Sequence, residues 1–117
     1  MGAPVVHFEI IGKNQPKLQK FFSEVFDWKI NTDNTIGYGL VEAQGEGSIG
    51  GGIGSAGQSK GHATFYIEVE NLEKTLEKIE RHGGKIVVPV TTVPGMVTYA
   101  MFVDPEGHLI GLVKKES

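Results

Sequence analysis

The residues best suited to chemistry are a histidine and a glutamate that lie two positions apart near the start of the chain. His7 and Glu9 belong to the segment Val5–Ile11, whose alternation with period two predicts a β-strand with both side chains on one face. An imidazole with an ordinary pKa of about 6.5 can take up or release a proton near neutral pH. We therefore predict that His7 and Glu9 form a catalytic acid–base pair.

Both residues also allow a structural interpretation. His7 could be a histidine at the rim of the fold that hydrogen-bonds a neighbour. An inward-facing Glu9 needs a partner or water, because an unpaired buried carboxylate is costly. The sequence leaves both interpretations open.

The first half of the chain predicts a strand, a helix and three further strands. Asn14-Gln15-Pro16 is typical of a helix start, since asparagine caps the first turn and proline is tolerated there. Apolar residues then recur at helical spacing and are predicted to form the buried stripe of this helix: Leu18, Phe21, Phe22, Val25 and Phe26. The first of the three strands is predicted to begin after Asp27–Lys29. The second is predicted to cover about Ile36–Ala43 and the third about Ser48–Ile53.

The same order returns after a glycine-rich linker at about residues 54–61. His62–Val69 alternates as a strand, Asn71 can cap a helix, and Gly83-Gly84 can end it. Three strands are predicted to follow: Lys85–Val90, Met96–Val103 and His108–Lys114. This internal duplication predicts a single domain, 1–117, with modules at about 4–54 and 62–115.

One helix covers only one face of each module's strands, so the other face must be covered differently. Two half-sheets placed side by side would curve into a trough, where a ligand would bind. Tyr66, Tyr99 and Met101 share faces predicted to line this trough. We expect them to contact a compact polar or aromatic metabolite.

Composition excludes several classes of function. The 117 residues include no cysteine, so disulfides, thiolate metal sites and cysteine nucleophiles are excluded. The net charge is −3 and Arg81 is the single arginine, which argues against a nucleic-acid partner. The sequence shows no signal-peptide pattern and no apolar run of about 18 residues, so we expect a cytoplasmic protein without a membrane partner.

Three parts of the chain carry a resemblance to a known family: His7 in the first strand, Phe21–Trp28 around the end of the first helix, and the closing Phe102–Leu112 with its Asp-Pro-Glu-Gly turn. With the duplicated βαβββ order, the chain resembles the vicinal oxygen chelate superfamily, which includes glyoxalase I, extradiol dioxygenases and bleomycin-binding proteins. The resemblance implies an α+β fold, in which two tandem modules form a curved mixed sheet around a concave trough. It also implies a homodimer.

In the metal-dependent relatives, each module supplies one ligand from its first strand and one from its last. Carried over by position, the four ligands fall on His7, within Gly50–Gly52, on Thr64 and on Gly111. One of the four is present, so the resemblance implies a degenerate metal site and no resident cofactor. Thr64 and Gly111 then become predicted substrate contacts. The alternative is a site for Fe, Mn, Ni or Zn formed by His7, Glu9 and His62, since His62 would become a ligand if the register shifted.

Three functions remain open. The first is lyase- or isomerase-type acid–base chemistry on a small-molecule ligand through His7, with or without Glu9, and without glyoxalase I activity. The second is a binding or sequestering protein of the bleomycin-resistance type that performs no chemistry. The third is a metal-dependent lyase or dioxygenase that uses the altered triad.

Overall fold

A computed structural model describes residues 2–34 and 36–116, and it repeats the predicted order of one strand, one helix and three strands. The first set of elements is β1 (Val5–Gly12), α1 (Gln15–Phe26), β2 (Ile30–Asn31), β3 (Gly39–Val41) and β4 (Gly50–Ser55). The second set is β5 (His62–Val69), α2 (Leu72–Arg81), β6 (Lys85–Val93), β7 (Val97–Val103) and β8 (Leu109–Lys114). The predicted α+β fold of two βαβββ modules is therefore confirmed.

The chain divides into two compact units whose limits fall inside β1 and β5. The amino-terminal unit is His7–Thr64, and the carboxyl-terminal unit joins the chain from Phe65 onward to the residues up to Val6. A backbone hydrogen bond of 2.9 Å from the Glu68 N–H to the Pro4 carbonyl lies within the carboxyl-terminal unit. The compact units thus differ from the sequence modules at the ends of these two strands.

In the amino-terminal unit the strand order is β2-β3-β4-β1. β4 runs parallel to β1 and antiparallel to β3, so β4 is hydrogen-bonded on both sides. The glycine-rich β4 therefore lies inside its sheet rather than at an edge.

The helix of this unit begins as predicted. The Asn14 side chain accepts a hydrogen bond from the Lys17 N–H at 3.1 Å and caps α1.

The predicted burial of the α1 stripe is wrong for three of its residues. Phe21, Val25 and Phe26 are 53%, 56% and 54% exposed, and no residue of α1 is fully buried. The physical reason is that the inner side of α1 is centred on Leu18, Gln19 and Phe22, which are half-buried, and the Gln19 side chain donates to the Ile53 carbonyl at 3.1 Å. Phe22 packs instead on Trp28, with ring centroids 5.2 Å apart.

The carboxyl-terminal unit has a conventional core. Its strand order is β5-β8-β7-β6, with β8 parallel to β5 and antiparallel to β7. The Asn71 side chain caps α2 by accepting from the Lys74 N–H at 2.9 Å. The buried cluster joins α2 to β7 and β8 through Leu72, Leu76, Ala100, Phe102 and Leu112.

Several predicted boundaries shift in the first module. The strand expected over Ile36–Ala43 is only Gly39–Val41, because the residues before it form a turn around Asn34. The Asn34 Oδ1 accepts from the Ile36 and Tyr38 N–H groups at 3.2 and 3.0 Å. β4 extends into the predicted linker because Gly54 and Ser55 still pair with β1.

The closing turn takes the form that its sequence predicts. The Asp104 Oδ1 accepts from the backbone N–H groups of Glu106 at 3.0 Å and His108 at 2.9 Å, and Gly107 has a φ of 91°. The backbone hydrogen bond from His108 is the largest cause that lowers the pKa of Asp104, because it favours the carboxylate form. The turn thus connects β7 to β8 in the register that pairs Met101 with Gly111.

In the part of the chain that the structure describes, no helix is long and apolar enough to cross a membrane.

The contrast between the two helices predicts different costs of truncation. Leu76→Ala should lower the free energy of unfolding by about 2–5 kcal/mol, because it opens a cavity in the carboxyl-terminal core. The control Val25→Ala on the exposed side of α1 should change it by less than about 0.5 kcal/mol. Urea denaturation of both variants measures the difference. Equal losses would contradict the assigned burial.

Candidate functional site

His7, Tyr38 and Glu9 form a chain of hydrogen bonds in the amino-terminal unit. The His7 Nε2 lies 3.0 Å from the Tyr38 hydroxyl, and that hydroxyl donates to the Glu9 Oε2 at 2.8 Å. All three residues are half-buried, and the His7 and Tyr38 rings lie nearly parallel with centroids 6.3 Å apart. The predicted pair is therefore joined through a third residue that the sequence analysis did not select.

The hydroxyl of Tyr38 determines where the protons lie. A phenol has one proton, and Tyr38 donates it to the carboxylate of Glu9. The hydrogen bond between Tyr38 and His7 must then take its proton from the His7 Nε2. Neutral His7 is accordingly protonated on Nε2, which leaves Nδ1 as the basic nitrogen of the ring.

The backbone of Tyr38 is fixed by the turn before β3. The Asn34 Nδ2 donates to the Tyr38 carbonyl at 2.7 Å, and the Asn34 Oδ1 accepts from the Tyr38 N–H at 3.0 Å. One asparagine side chain thus fixes both backbone polar groups of Tyr38. This asparagine lies in the segment between β2 and β3.

Two glycines of β4 make room for the tyrosine ring. A Cβ built at Gly52 would overlap the Tyr38 phenol, and one built at Gly54 would lie 2.8 Å from the Tyr38 Cδ1. Gly52 is also the β4 partner of Glu9 in the parallel register. The Tyr38 ring therefore occupies the space that a side chain at position 52 would fill.

The second module has an aromatic ring over glycine at the corresponding position. Gly52 precedes the buried Ile53 as Gly111 precedes the buried Leu112, and their strand partners are Glu9 and Tyr66. A Cβ built at Gly111 would overlap the Tyr66 ring. Within the predicted range Gly50–Gly52, this correspondence selects Gly52 as the position equivalent to Gly111.

The predicted substrate contacts fall into two groups. Tyr66, Tyr99, Met101 and Gly111 lie together in the carboxyl-terminal unit. The Tyr66 hydroxyl approaches the Met101 Sδ at 3.9 Å, and the Tyr99 ring meets Tyr66 edge-on at 6.4 Å between centroids. Tyr66 and Met101 are buried and Tyr99 is half-buried, so the first two pack against each other. Thr64 is half-buried and belongs to the amino-terminal unit. Their contact with a ligand stays a prediction.

His62 does not complete a triad with His7 and Glu9. Among residues 2–34 and 36–116, no three histidine, cysteine, aspartate or glutamate side chains are grouped so that they could hold a metal ion. The His62 Nε2 is buried without a hydrogen-bond partner in this part of the chain. The remaining donors are an imidazole and a carboxylate that already share a phenol hydroxyl. This arrangement does not fit a divalent ion, which needs at least three well-placed donors.

Burial sets the basicity of His7. Desolvation lowers the pKa of its imidazole below the ordinary value because burial disfavours the charged form. The negative charge of Glu9 acts in the opposite direction and raises it, but to a smaller extent. His7 is therefore a predominantly neutral base at neutral pH.

The family model of the Glyoxalase/Bleomycin resistance protein/Dioxygenase superfamily matches residues 5–112. The chain belongs to this superfamily. The resemblance inferred from His7, the end of α1 and the closing turn is thereby confirmed.

Similar proteins include a sequence relative and two solved structures. A glyoxylase-like domain-containing protein of Didymella fabae is 30% identical over 117 residues, covering 89% of this chain and 91% of that protein. Methylmalonyl-CoA epimerase from Mycobacterium tuberculosis has a TM-score of 0.67 at 14% identity, covering 97% of this chain and 88% of that one. The Mn(II)-bound glyoxalase from Novosphingobium aromaticivorans has a TM-score of 0.66 at 15% identity, covering 98% and 42%. At such identities the two structures support the fold alone.

The environment of His7 predicts how its titration responds to mutation. In an NMR titration, the His7 pKa should lie below the ordinary value of about 6.5. Glu9→Gln should lower it further, because it removes the negative charge that favours the imidazolium. The control Glu46→Gln alters an exposed glutamate and should leave the His7 pKa unchanged.

The lowered pKa of His7 also makes the free energy of unfolding depend on pH. Because unfolded His7 binds a proton at higher pH than folded His7, acidification through its titration range should favour unfolding, and less so in His7→Gln. A His7 pKa above the ordinary value, or one that rises in Glu9→Gln, would contradict the assigned electrostatics.

Proposed function

We propose that the protein binds a small metabolite with a carbonyl group and moves a proton on the carbon beside it, without a resident metal ion. This is acid–base chemistry of the lyase or isomerase type. The observation that supports it is the hydrogen-bonded chain His7 Nε2–Tyr38 hydroxyl–Glu9 Oε2 in one compact unit.

In this mechanism each of the three hydrogen-bonded groups has a defined role. Neutral His7, protonated on Nε2, accepts the substrate proton at Nδ1 and becomes an imidazolium. Its Nε2 proton passes to the Tyr38 oxygen as the Tyr38 proton passes to the Glu9 carboxylate. His7 is then neutral again, now protonated on Nδ1, and Glu9 holds the proton. The reverse transfer returns the proton to the substrate.

One structural neighbour is named a methylmalonyl-CoA epimerase, a name consistent with proton transfer at a carbon beside a carbonyl. The other is named a Mn(II)-bound glyoxalase, so its name does not support a reaction without a metal ion. The names epimerase and glyoxalase belong to proteins that share 14% and 15% identity with this chain. Their activities therefore guide the choice of candidate substrates and do not by themselves assign one.

A binding protein without chemistry is the second candidate. The observation that favours it is that His7 and Glu9 are both engaged with Tyr38 in the structure, which also satisfies their polar groups. In this case ligands would stabilise the protein and leave unchanged. The homodimer expected from the resemblance stays a prediction under either function.

A single assay in D₂O distinguishes the two functions. We would first use thermal shift to select ligands from a panel of small ketones, hydroxyketones and thioesters, and then follow loss of the carbon-bound proton by NMR. Wild-type protein should exchange the proton beside the carbonyl of at least one ligand. His7→Ala should slow the exchange by about 10²–10⁴-fold, as expected for loss of a general base.

His82→Ala is the matched control, because His82 is exposed at the end of α2 in the other compact unit and should leave the exchange rate unchanged. Binding without exchange would favour the second candidate. Exchange that persists unchanged in His7→Ala would overturn the assigned base.

A further inference from the structure

We infer that Tyr38 and Gly52 together exclude a divalent ion from the His7–Glu9 pair and that these two residues determine the metal independence of the site. The inference goes beyond the proposed function, because metal occupancy can be measured whether or not a ligand reacts. It rests on the placement of one aromatic ring and on the donors around it.

The first argument is steric. Any Cβ at position 52 would overlap the Tyr38 phenol, so a carboxylate there cannot coexist with the ring in its present place. Position 52 is also the strand partner of Glu9, so a carboxylate there would supply a third ligand beside the Glu9 carboxylate. The Tyr38 ring in its present place therefore requires glycine at position 52.

The second argument concerns the donors. An ion bound between the His7 Nε2 and the Glu9 Oε2 would have to break the hydrogen bonds of 3.0 and 2.8 Å that these two atoms make to the Tyr38 hydroxyl. It would also have to move a ring whose backbone is held on both polar groups by Asn34. Two donors would remain, which is too few for tight binding.

The third argument comes from the other module. Gly111 corresponds to Gly52, and the Tyr66 ring covers it. The Tyr66 hydroxyl lies 3.9 Å from the Met101 sulfur, so the ring packs against Met101 where it covers this position. Both last-strand positions at which the resemblance expects carboxylates are thus filled by aromatic rings.

The inference predicts that metal binding can be restored by reversing this choice. Tyr38→Ala removes the ring, and Gly52→Glu supplies a carboxylate beside Glu9. The probes are Zn²⁺ and Ni²⁺ alone, titrated by calorimetry and followed through the ring-nitrogen NMR signals of His7. The double variant should bind at least about tenfold more tightly than wild type, the scale on which ligand-shell changes alter metal affinity.

Three controls assign the effect to this site. Tyr38→Phe keeps the ring over Gly52 and should bind the ions as weakly as wild type. Adding His7→Ala to the double variant should abolish the gained affinity. Wild-type His7 signals should stay unchanged at ion concentrations on the order of 1 mM, a weak-binding limit, and this measurement does not depend on whether the variants fold.

Two results would overturn the inference. One is binding of Zn²⁺ or Ni²⁺ to wild-type protein in the micromolar range with a shift of the His7 signals. The other is a double variant with native circular dichroism that binds no better than wild type. Either result leaves the proton-exchange assay of the proposed function unaffected, so the two failures are distinguishable.

Discussion

The candidate site depends on the close approach of the Tyr38 ring to the backbone of β4. The approach is possible because position 52 has no side chain, and it places one hydroxyl within hydrogen-bond distance of both an imidazole and a carboxylate. A single methyl group at Gly52 would require the ring to move. The proton arrangement of His7 and the connection to Glu9 both follow from this contact.

The two modules pack their helices differently. In the first, Gly52 and Gly54 share a face of the sheet with Glu9, and they make room for Tyr38 on that face. The helix of this module exposes Phe21, Val25 and Phe26, while Phe22 packs on Trp28. In the second module, α2 packs on the apolar side chains of β7 and β8.

The sequence predicts the periodic parts of this protein well. Alternation, caps at Asn14 and Asn71, and the Asp104 turn are local signals, and each element that they predict is present. The prediction that His7 and Glu9 share one face of β1 also rests on a local signal, the alternation of Val5–Ile11. Tyr38 was missed because its partners are 29 and 31 residues away and its position depends on a turn held by Asn34.

The glycines at 52 and 54 were the available signal for Tyr38, since a glycine inside a strand often marks a close approach. The sequence does not say which ring approaches. It likewise cannot show that Phe21, Val25 and Phe26 of the expected α1 stripe are exposed, because periodicity predicts a helical face and not what that face contacts.

The central claim is that Tyr38 gives its proton to Glu9 and accepts one from His7. Long-range ¹H–¹⁵N correlation of the histidine rings, at a pH where His7 is neutral, tests it directly. The account predicts a pyrrole-type nitrogen, bearing the proton, at Nε2 and a pyridine-type nitrogen at Nδ1. The reversed pattern, with the proton on Nδ1, would contradict it.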